Sequence, residues 1–390
     1  PAGTLPDMGA YESDKGVDPN YAGPVWYVDG PAGLPYGNGG PGAPFTTIQA
    51  GIDASSSGDT VSVKAGTYVE NPDFSGKNIA VIGEDQETTI IDGNQAGSVI
   101  RLQNGETNDA LLDNFTITNG LNDLGGGIYI GQNSNPTLKN LIIIDNSVSQ
   151  KGGGIFCENN ASASISNTQI LNNSSGAEGG GLCFANSDNI TLTNCKISGN
   201  VATTGGGIYG SYGIIRNSEI TNNSATVCGA ISGEFALINC TVANNTSNSG
   251  NYSVELSNVI NKYILNSIFY GNTPDSISIW TDMEISYSNV EGGLNVMMTQ
   301  QPIWGSGNID VDPMFVDTAN ADYHLLASSQ CINAGHPDST DSDGTIADIG
   351  AYPYLNSYSG PTWYITEGGN DTTGTGASDD PFRSIQAGIN

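Results

Sequence analysis

The sequence predicts an all-β chain wound as a solenoid. Three observations carry that expectation: an N-x5-N block that returns at near-constant intervals, apolar residues at strand spacing on either side of it, and glycine triplets that recur in step. The blocks stand at Asn140/Asn146, Asn167/Asn173, Asn194/Asn200, Asn217/Asn223, Asn239/Asn245, Asn266/Asn272 and Asn289/Asn295, with Asp113/Asn119 as a variant first copy. Their intervals of 27, 27, 27, 23, 22, 27 and 23 residues read as coil lengths, since so short a repeat buries its apolar face only by stacking on its neighbours.

Each coil has a legible strand–bend–strand pattern. Two residues before the first asparagine stand Leu111, Leu138, Ile165, Leu192, Ile215, Leu237, Ile264 and Tyr287; three after it stand Thr116, Ile143, Ile170, Ile197, Ile220, Val242, Phe269 and Gly292. One after it the residues are mostly small, as at Thr168, Cys195, Ser218, Cys240 and Ser267. This is period-2 burial around a bend, in segments too short and too β-branched for helices. Asparagine tolerates the left-handed backbone that a bend needs. Asn140, Asn167, Asn194, Asn217, Asn239, Asn266 and Asn289 are therefore expected to form an internal ladder of amide hydrogen bonds between coils.

The triplets supply the next corner. Gly125–Gly127, Gly152–Gly154, Gly179–Gly181 and Gly205–Gly207 are each followed by Ile or Leu, and Cys228-Gly229-Ala230-Ile231 is a degenerate fifth copy. Glycine suits a crowded turn of positive φ that opens onto an inward residue. A phosphate loop is excluded, because no helix-forming segment, Lys or spaced acid follows. The longer early coils carry extra residues at 132–136, 158–161 and 185–189, expected to protrude as a polar rim.

Composition narrows the partners. Of 390 residues 13% are charged, and 40 acids against 10 bases give a formal net charge of −30. Such a surface repels nucleic acid and anionic membranes and attracts cations. The segment shows no secretion signal, no membrane-length apolar run and no initiating Met, as expected of an internal piece of a longer chain. Trp26-Tyr27-Val28 recurs as Trp363-Tyr364-Ile365, and 44–53 recurs as 381–390, both at an offset of 337. Asp7–Tyr11 recurs as Asp348–Tyr352 at an offset of 341. Residues 1–24 are thus expected to be the tail of a preceding module and a linker, 25–355 one whole module, and 356–390 a linker and the head of the next. Within the module the cap is placed at 25–75, the coils at about 76–300 and the closing segment at 301–355.

The GGGI triplets with asparagine-ended strands resemble the repeats of polymorphic outer-membrane proteins and of bacterial right-handed parallel β-helix proteins. The entry segment, Pro44-Phe45, Ile48-Gln49-Ala50, Gly58–Val61 and Gly66–Tyr68, is similar to the start of pectin-lyase-like β-helices. The exit segment, from Asn308-Ile309-Asp310 through Tyr323-His324-Leu325 and Cys331–Gly335 to Ala347–Tyr352, resembles the closing region of secreted β-helix proteins with a choice-of-anchor domain. The resemblance implies a right-handed parallel β-helix with a short N-terminal capping helix, Ile48–Ala54, and a C-terminal closing segment. Both are expected to cover the open strand edges at its ends.

Chemistry is harder to place. Lyase chemistry on such a scaffold needs a basic cluster in one groove, whereas the seven lysines and three arginines are scattered. Lys151 with Glu178, and Lys196 with Glu219, fall at equivalent positions of successive coils and are expected as exposed ion pairs worth at most about 1 kcal/mol. Hydrolysis needs converging carboxylates; Glu219 and Glu291 share a ladder position by this alignment but lie three coils apart. No catalytic residue is assigned. Asp338, Asp341, Asp343 and Asp348 form D-x2-D-x-D-G-x3-D around Gly344, a spacing that suits one hard cation such as calcium. The six cysteines are expected as free, buried thiols.

The expected function is that of an extracellular or cell-surface structural protein, a fibre, stalk or surface layer built by end-to-end contact between neighbouring modules or copies. A first alternative is an adhesin binding surface glycans through the rim and Tyr129, Tyr209 and Tyr212. A second alternative is a polysaccharide lyase or hydrolase.

Overall fold

The structure is a computed structural model that describes residues 21–30, 33, 37–187, 190–249, 252–257, 263–275, 277–279, 283–299, 302–355 and 362–389. Most of the expected tail at 1–24, and the 356–361 part of the expected linker, lie outside the described residues. The chain divides into two compact units, Pro1–Gly176 with Leu182–Asp188, and Ala177–Gly181 with Asn189–Asn390.

Both units are parallel β-coils, as the spacing requires. In the first unit Val61, Val81, Leu112, Leu138 and Ile165 follow one another in register along one ladder. Tyr68, Ile91, Ile117, Ile143 and Ile170 form a second, and Ile100, Ile128, Ile155 and Leu182 a third after the glycine triplets. The second unit repeats the scheme with Leu192, Ile215, Leu237, Ile264 and Ile285, and with Ile197, Ile220, Val242, Phe269 and Val290. All these side chains are buried, and each contributes about 1.5–3 kcal/mol by leaving water.

The two asparagines of each block have different tasks. Asn140, Asn167, Asn194, Asn217, Asn239 and Asn266 sit at the bend with φ between 47 and 55°, and the amides of Asn140, Asn167 and Asn239 donate to Asp113, Asn140 and Asn217 at 2.8–3.2 Å. Most of these residues face outward or lie half-buried, so theirs is not the internal ladder. That ladder belongs to the second asparagine. Asn223 donates both its backbone N–H and its amide to the Asn245 side-chain oxygen at 3.0 Å, and Asn245 does the same to Asn272. The equivalent pairs are Asn146 to Asn173 and Asn200 to Asn223. These residues are buried because a positive-φ residue before most of them, such as Asp145, Asn222 or Asn244, turns the chain inward.

Two alignments at the ends are corrected. The first bend is Asn114 (φ 64°), because Leu138 pairs with Leu112 and Leu141 with Phe115. The last is Tyr287 (φ 48°), not Asn289, which lies in a strand opposite Ile268.

The entry cap is α1, Ile48–Ala54, as expected. Its N-terminal amides are held by Glu70, which accepts from Ile48 and Gln49 at 2.7 and 3.0 Å, while the Lys77 ammonium donates to the carbonyls of Ile52, Asp53 and Ser55 at its C-terminal end. Val25–Val28 pairs in parallel with Thr60–Val63. A Cβ at Gly51 would come within 2.6 Å of the Val61 side chain, so this position admits the close approach of helix to coil only as glycine. All six cysteines are free and buried.

Candidate functional site

The closing segment begins over the coil end, as expected, where Ile303 and Trp304 pair with Glu284 and Ile285 and Ile309 bridges Asn289. Its contacts then run along the flank of the second unit, over an outward ladder formed in register by Lys196, Glu219, Thr241, Ile268 and Asn289. Every rung has its own partner. Lys196 donates to the Ala321 carbonyl at 3.1 Å, Glu219 accepts from the Tyr352 hydroxyl at 2.7 Å, and Thr241 accepts from the Ala351 N–H at 3.0 Å. Ile268 packs with Leu325, Cys331, Ile332 and Ile349, and Asn289 exchanges hydrogen bonds with the Val311 backbone. A short antiparallel pair, Phe315–Asp317 with Asp322–Leu325, stiffens the strap.

At its centre the expected Lys196–Glu219 pair is present at 3.1 Å, but Glu219 is only 1% exposed rather than a surface residue. Thr221 and Tyr352 donate to it as well, so three donors converge on it. Burial and the neighbouring Glu219 charge push the Tyr352 phenol well above its ordinary range. The His324 ring stacks on Tyr352 at 4.3 Å, and Tyr323 bonds to Asn222 and Asn244. A carboxylate so enclosed is a clamp and not a reagent. Glu291 lies two positions beyond this ladder and so is not in line with Glu219.

Three of the four aspartates of the closing loop are turned to separate partners. Asp348 accepts from the Asn333 and Tyr354 N–H groups at 2.7 and 2.6 Å; Asp341 accepts from Asp348 N–H, and Asp343 from Thr345. Asp338 is exposed. Burial, with Asp341 and Asp343 nearby, pushes Asp348 up to about 7. Among the described residues no three His, Cys, Asp or Glu side chains form a group able to hold a metal ion. The segment closes a tight turn, with Thr340 bridged to Ile346 and Gly344 at φ 88°.

Tyr129 belongs to the first unit, where it stacks on Phe156 at 5.8 Å and donates to Glu158 at 2.8 Å. Burial and that carboxylate push its phenol up to about 12. Tyr209 and Tyr212 belong to the second unit; Tyr209 is half-buried beside Ser232, and Tyr212 is exposed at a positive-φ bend.

Sequence patterns missed a cavity of about 360 Å³ in the second unit, bounded chiefly by Tyr263, Glu284, Ser286, Tyr287, Ser306 and His336. Its one sequence signal is Tyr287, a tyrosine where the coil pattern calls for asparagine. The same region interrupts the outer amide ladder. Asn266 gives its side-chain oxygen to the His336 N–H at 2.8 Å, and its amide nitrogen and the Asn239 side-chain oxygen are both buried without a partner.

The repeated head at the C-terminal end also seats on the strap. Trp363 stacks on Phe382 at 6.0 Å and 21°, as Trp26 stacks on Phe45 at 6.2 Å and 20°; Ile365 bridges Phe382 as Val28 bridges Phe45. A second helix, α2, spans Ile385–Ile389. Phe382 and Ala387 pack with Ala327 and Tyr354, the Tyr354 hydroxyl donates to the Gly374 carbonyl at 3.2 Å, and Ala327 N–H donates to the Asp371 carbonyl at 2.7 Å.

Comparison with known proteins adds the fold's relatives. Residues 46–208 and 98–259 match the family described as "Right handed beta helix region", together more than half of the chain. No curated protein matches it in sequence. Among solved structures, pectate lyase Pel9A is similar in fold, with a TM-score of 0.54 at 16% identity over 85% of this chain and 96% of that one. A rhamnogalacturonan lyase aligns with a TM-score of 0.33 at 13% identity, over 83% and 97%.

Proposed function

Because the chain belongs to the right-handed β-helix family, whose fold alone fixes no chemistry, we propose from its own contacts that it is one unit of a tandem-module structural protein. The carrying observation is the second head, 363–389, seated on Ala327 and Tyr354 of the closing segment. Each module, on this reading, ends in a strap that receives the head of the next, and the array works by rigid end-to-end contact at a cell surface or outside the cell. The seat consists of apolar packing and hydrogen bonds to backbone carbonyls. The strap also covers five outward rungs of the coil, where a flat glycan-binding or catalytic face would otherwise lie. Negative-stain images of the native protein test this: filaments or rods with a repeat set by the module are expected, and single-module particles would sink the idea.

A second reading, polysaccharide lyase activity, is favoured by the fold shared with pectate lyase Pel9A. Lys64 pairs with Glu84, Lys77 with backbone carbonyls and Lys196 with Glu219, which leaves these three lysines unsuited to proton abstraction. Incubation with polygalacturonate and measurement of unsaturated uronide decides it; no product is expected.

A further inference from the structure

We propose that the cavity bounded by Tyr263, Glu284, Tyr287, Ser306 and His336 binds a neutral saccharide. This inference is independent of the tandem-module reading, since it concerns one module alone.

The backbone at Tyr287 is the first argument. Seven other coils place asparagine at this bend, with φ between 47 and 64°, and Tyr287 adopts φ 48°. A bulky residue in the left-handed region costs about 1–2 kcal/mol relative to its preferred conformation, and such strain persists where the surroundings over-determine it, often at binding sites. The surroundings here are shaped to fit the ring. A Cβ at Gly307 would lie 2.3 Å from the Tyr287 ring, and one at Gly305 would lie 2.2 Å from the Ser286 hydroxyl and 2.7 Å from the Glu284 carboxylate. Two glycines thus keep open the space that the aromatic wall and its polar neighbours occupy.

The lining chemistry is the second argument. The Tyr287 ring meets the His336 ring edge-on at 4.8 Å. His336 Nδ1 accepts from the Asp338 N–H at 3.2 Å, so the neutral ring carries its proton on Nε2 as a donor. Glu284, already accepting from Ser286 at 2.6 Å, supplies acceptor capacity, and the Tyr263 and Ser306 hydroxyls supply both kinds of group. Sugar hydroxyls donate and accept at once, and a pyranose presents C–H faces that suit the apolar body of a tyrosine. Among the described residues the lining holds a carboxylate and no Lys or Arg, and the chain carries −30. Uronates, sulfated sugars and phosphates are therefore repelled. The volume of about 360 Å³ falls within the span of small-molecule sites.

The test uses the full chain with cellobiose, lactose, mannobiose, xylobiose and digalacturonate as probes, followed by ligand-observed NMR titration. At least one neutral disaccharide is expected to bind in the millimolar range, more tightly than digalacturonate. Tyr287→Asn restores the bend residue of the other coils, so it preserves the fold while removing the ring; binding is expected to weaken about tenfold or more, with the melting temperature unchanged or raised. Glu284→Gln is expected to weaken binding as well. The proposal is overturned if none of the four neutral probes binds, if digalacturonate binds at least as tightly, or if Tyr287→Asn leaves affinity unchanged.

Discussion

The two heads, 26–54 and 363–389, share a sequence pattern and a local fold yet bury opposite faces. In the first, Trp26 is 8% exposed and Ile48 and Ile52 are fully buried, whereas Trp363 is 38% and Ile385 and Ile389 are each 71% exposed. The other face is reversed: Phe45 and Ala50 are half-buried, but Phe382 and Ala387 are buried against the strap. Stacking of Trp on Phe, a single parallel bridge and a hydroxyl cap on the helix suffice to shape the head. What it buries depends on what lies beside it. The head thus has a coil face and a junction face, and this chain displays each in use once.

The comparison breaks first at the isoleucines. Ile52→Ala leaves a cavity between α1 and the first coil and should cost about 3–4 kcal/mol, whereas Ile389→Ala should change stability by less than about 0.5 kcal/mol. Urea unfolding of the two variants measures both; equal losses would mean that the second helix also covers a coil. Phe382→Ala acts on the junction face. It should lower the opening free energy of 363–389 by about 2 kcal/mol, seen as faster amide exchange there, with the coils unaffected.

That asymmetry also marks what the sequence made legible. Ladders and the first helix were readable because their determinants are local: alternation, coil length and a recurring bend. The bend itself was misplaced at Asp113 and at Asn289 because residue identity was matched instead of backbone need, which Asn114 and Tyr287 meet. The internal ladder went to the wrong asparagine of each block since both border the turn and only the direction of the chain after it separates them. The strap was legible as a closing segment at 301–355, but its course along the flank was not. Lys196, Glu219, Thr241, Ile268 and Asn289 have no chemistry in common, and their partners lie some 20 to 130 positions away along the chain. The cavity is likewise assembled from positions 263, 284–287, 306 and 336, and the backbone partners of the acidic loop's carboxylates were not readable from their spacing.

Helix anchoring gives a smaller contrast. Glu70 holds the first N-terminus from the bend just past the strand Gly66–Val69, while Asp371 holds the approach to the second from within the head itself, accepting from Arg383 and Ser384 at 2.6 and 2.9 Å. Burial raises the Glu70 carboxyl above its ordinary 4.5, against two backbone N–H donors that lower it. A raised folded-state value means that the contribution of this group is complete below pH 4.5 and declines as pH rises through the folded value. Glu70→Gln should therefore flatten the fall in stability from pH 4.5 towards neutrality, while costing about 1 kcal/mol through one lost helix-end bond. Melts across that range check the slope, and an unchanged slope would place the titration elsewhere.

The smallest effect sharpens the junction most. Tyr354 is half-buried between Ala327 and the second head, and its hydroxyl makes one bond, to the Gly374 carbonyl. Tyr354→Phe keeps the ring packing and removes only that bond, so the cost should be about 0.5–1 kcal/mol and confined to opening of 363–389. At the offset of 341 that relates the two exit segments, Ser13 stands in sequence opposite Tyr354. The seat should survive in Tyr354→Phe and fail in Ala327→Glu, which drives a charge into the apolar contact. Amide exchange over 363–389 distinguishes the two: comparable loss of protection in both would mean that a single polar contact, and not the apolar face, holds one module to the next.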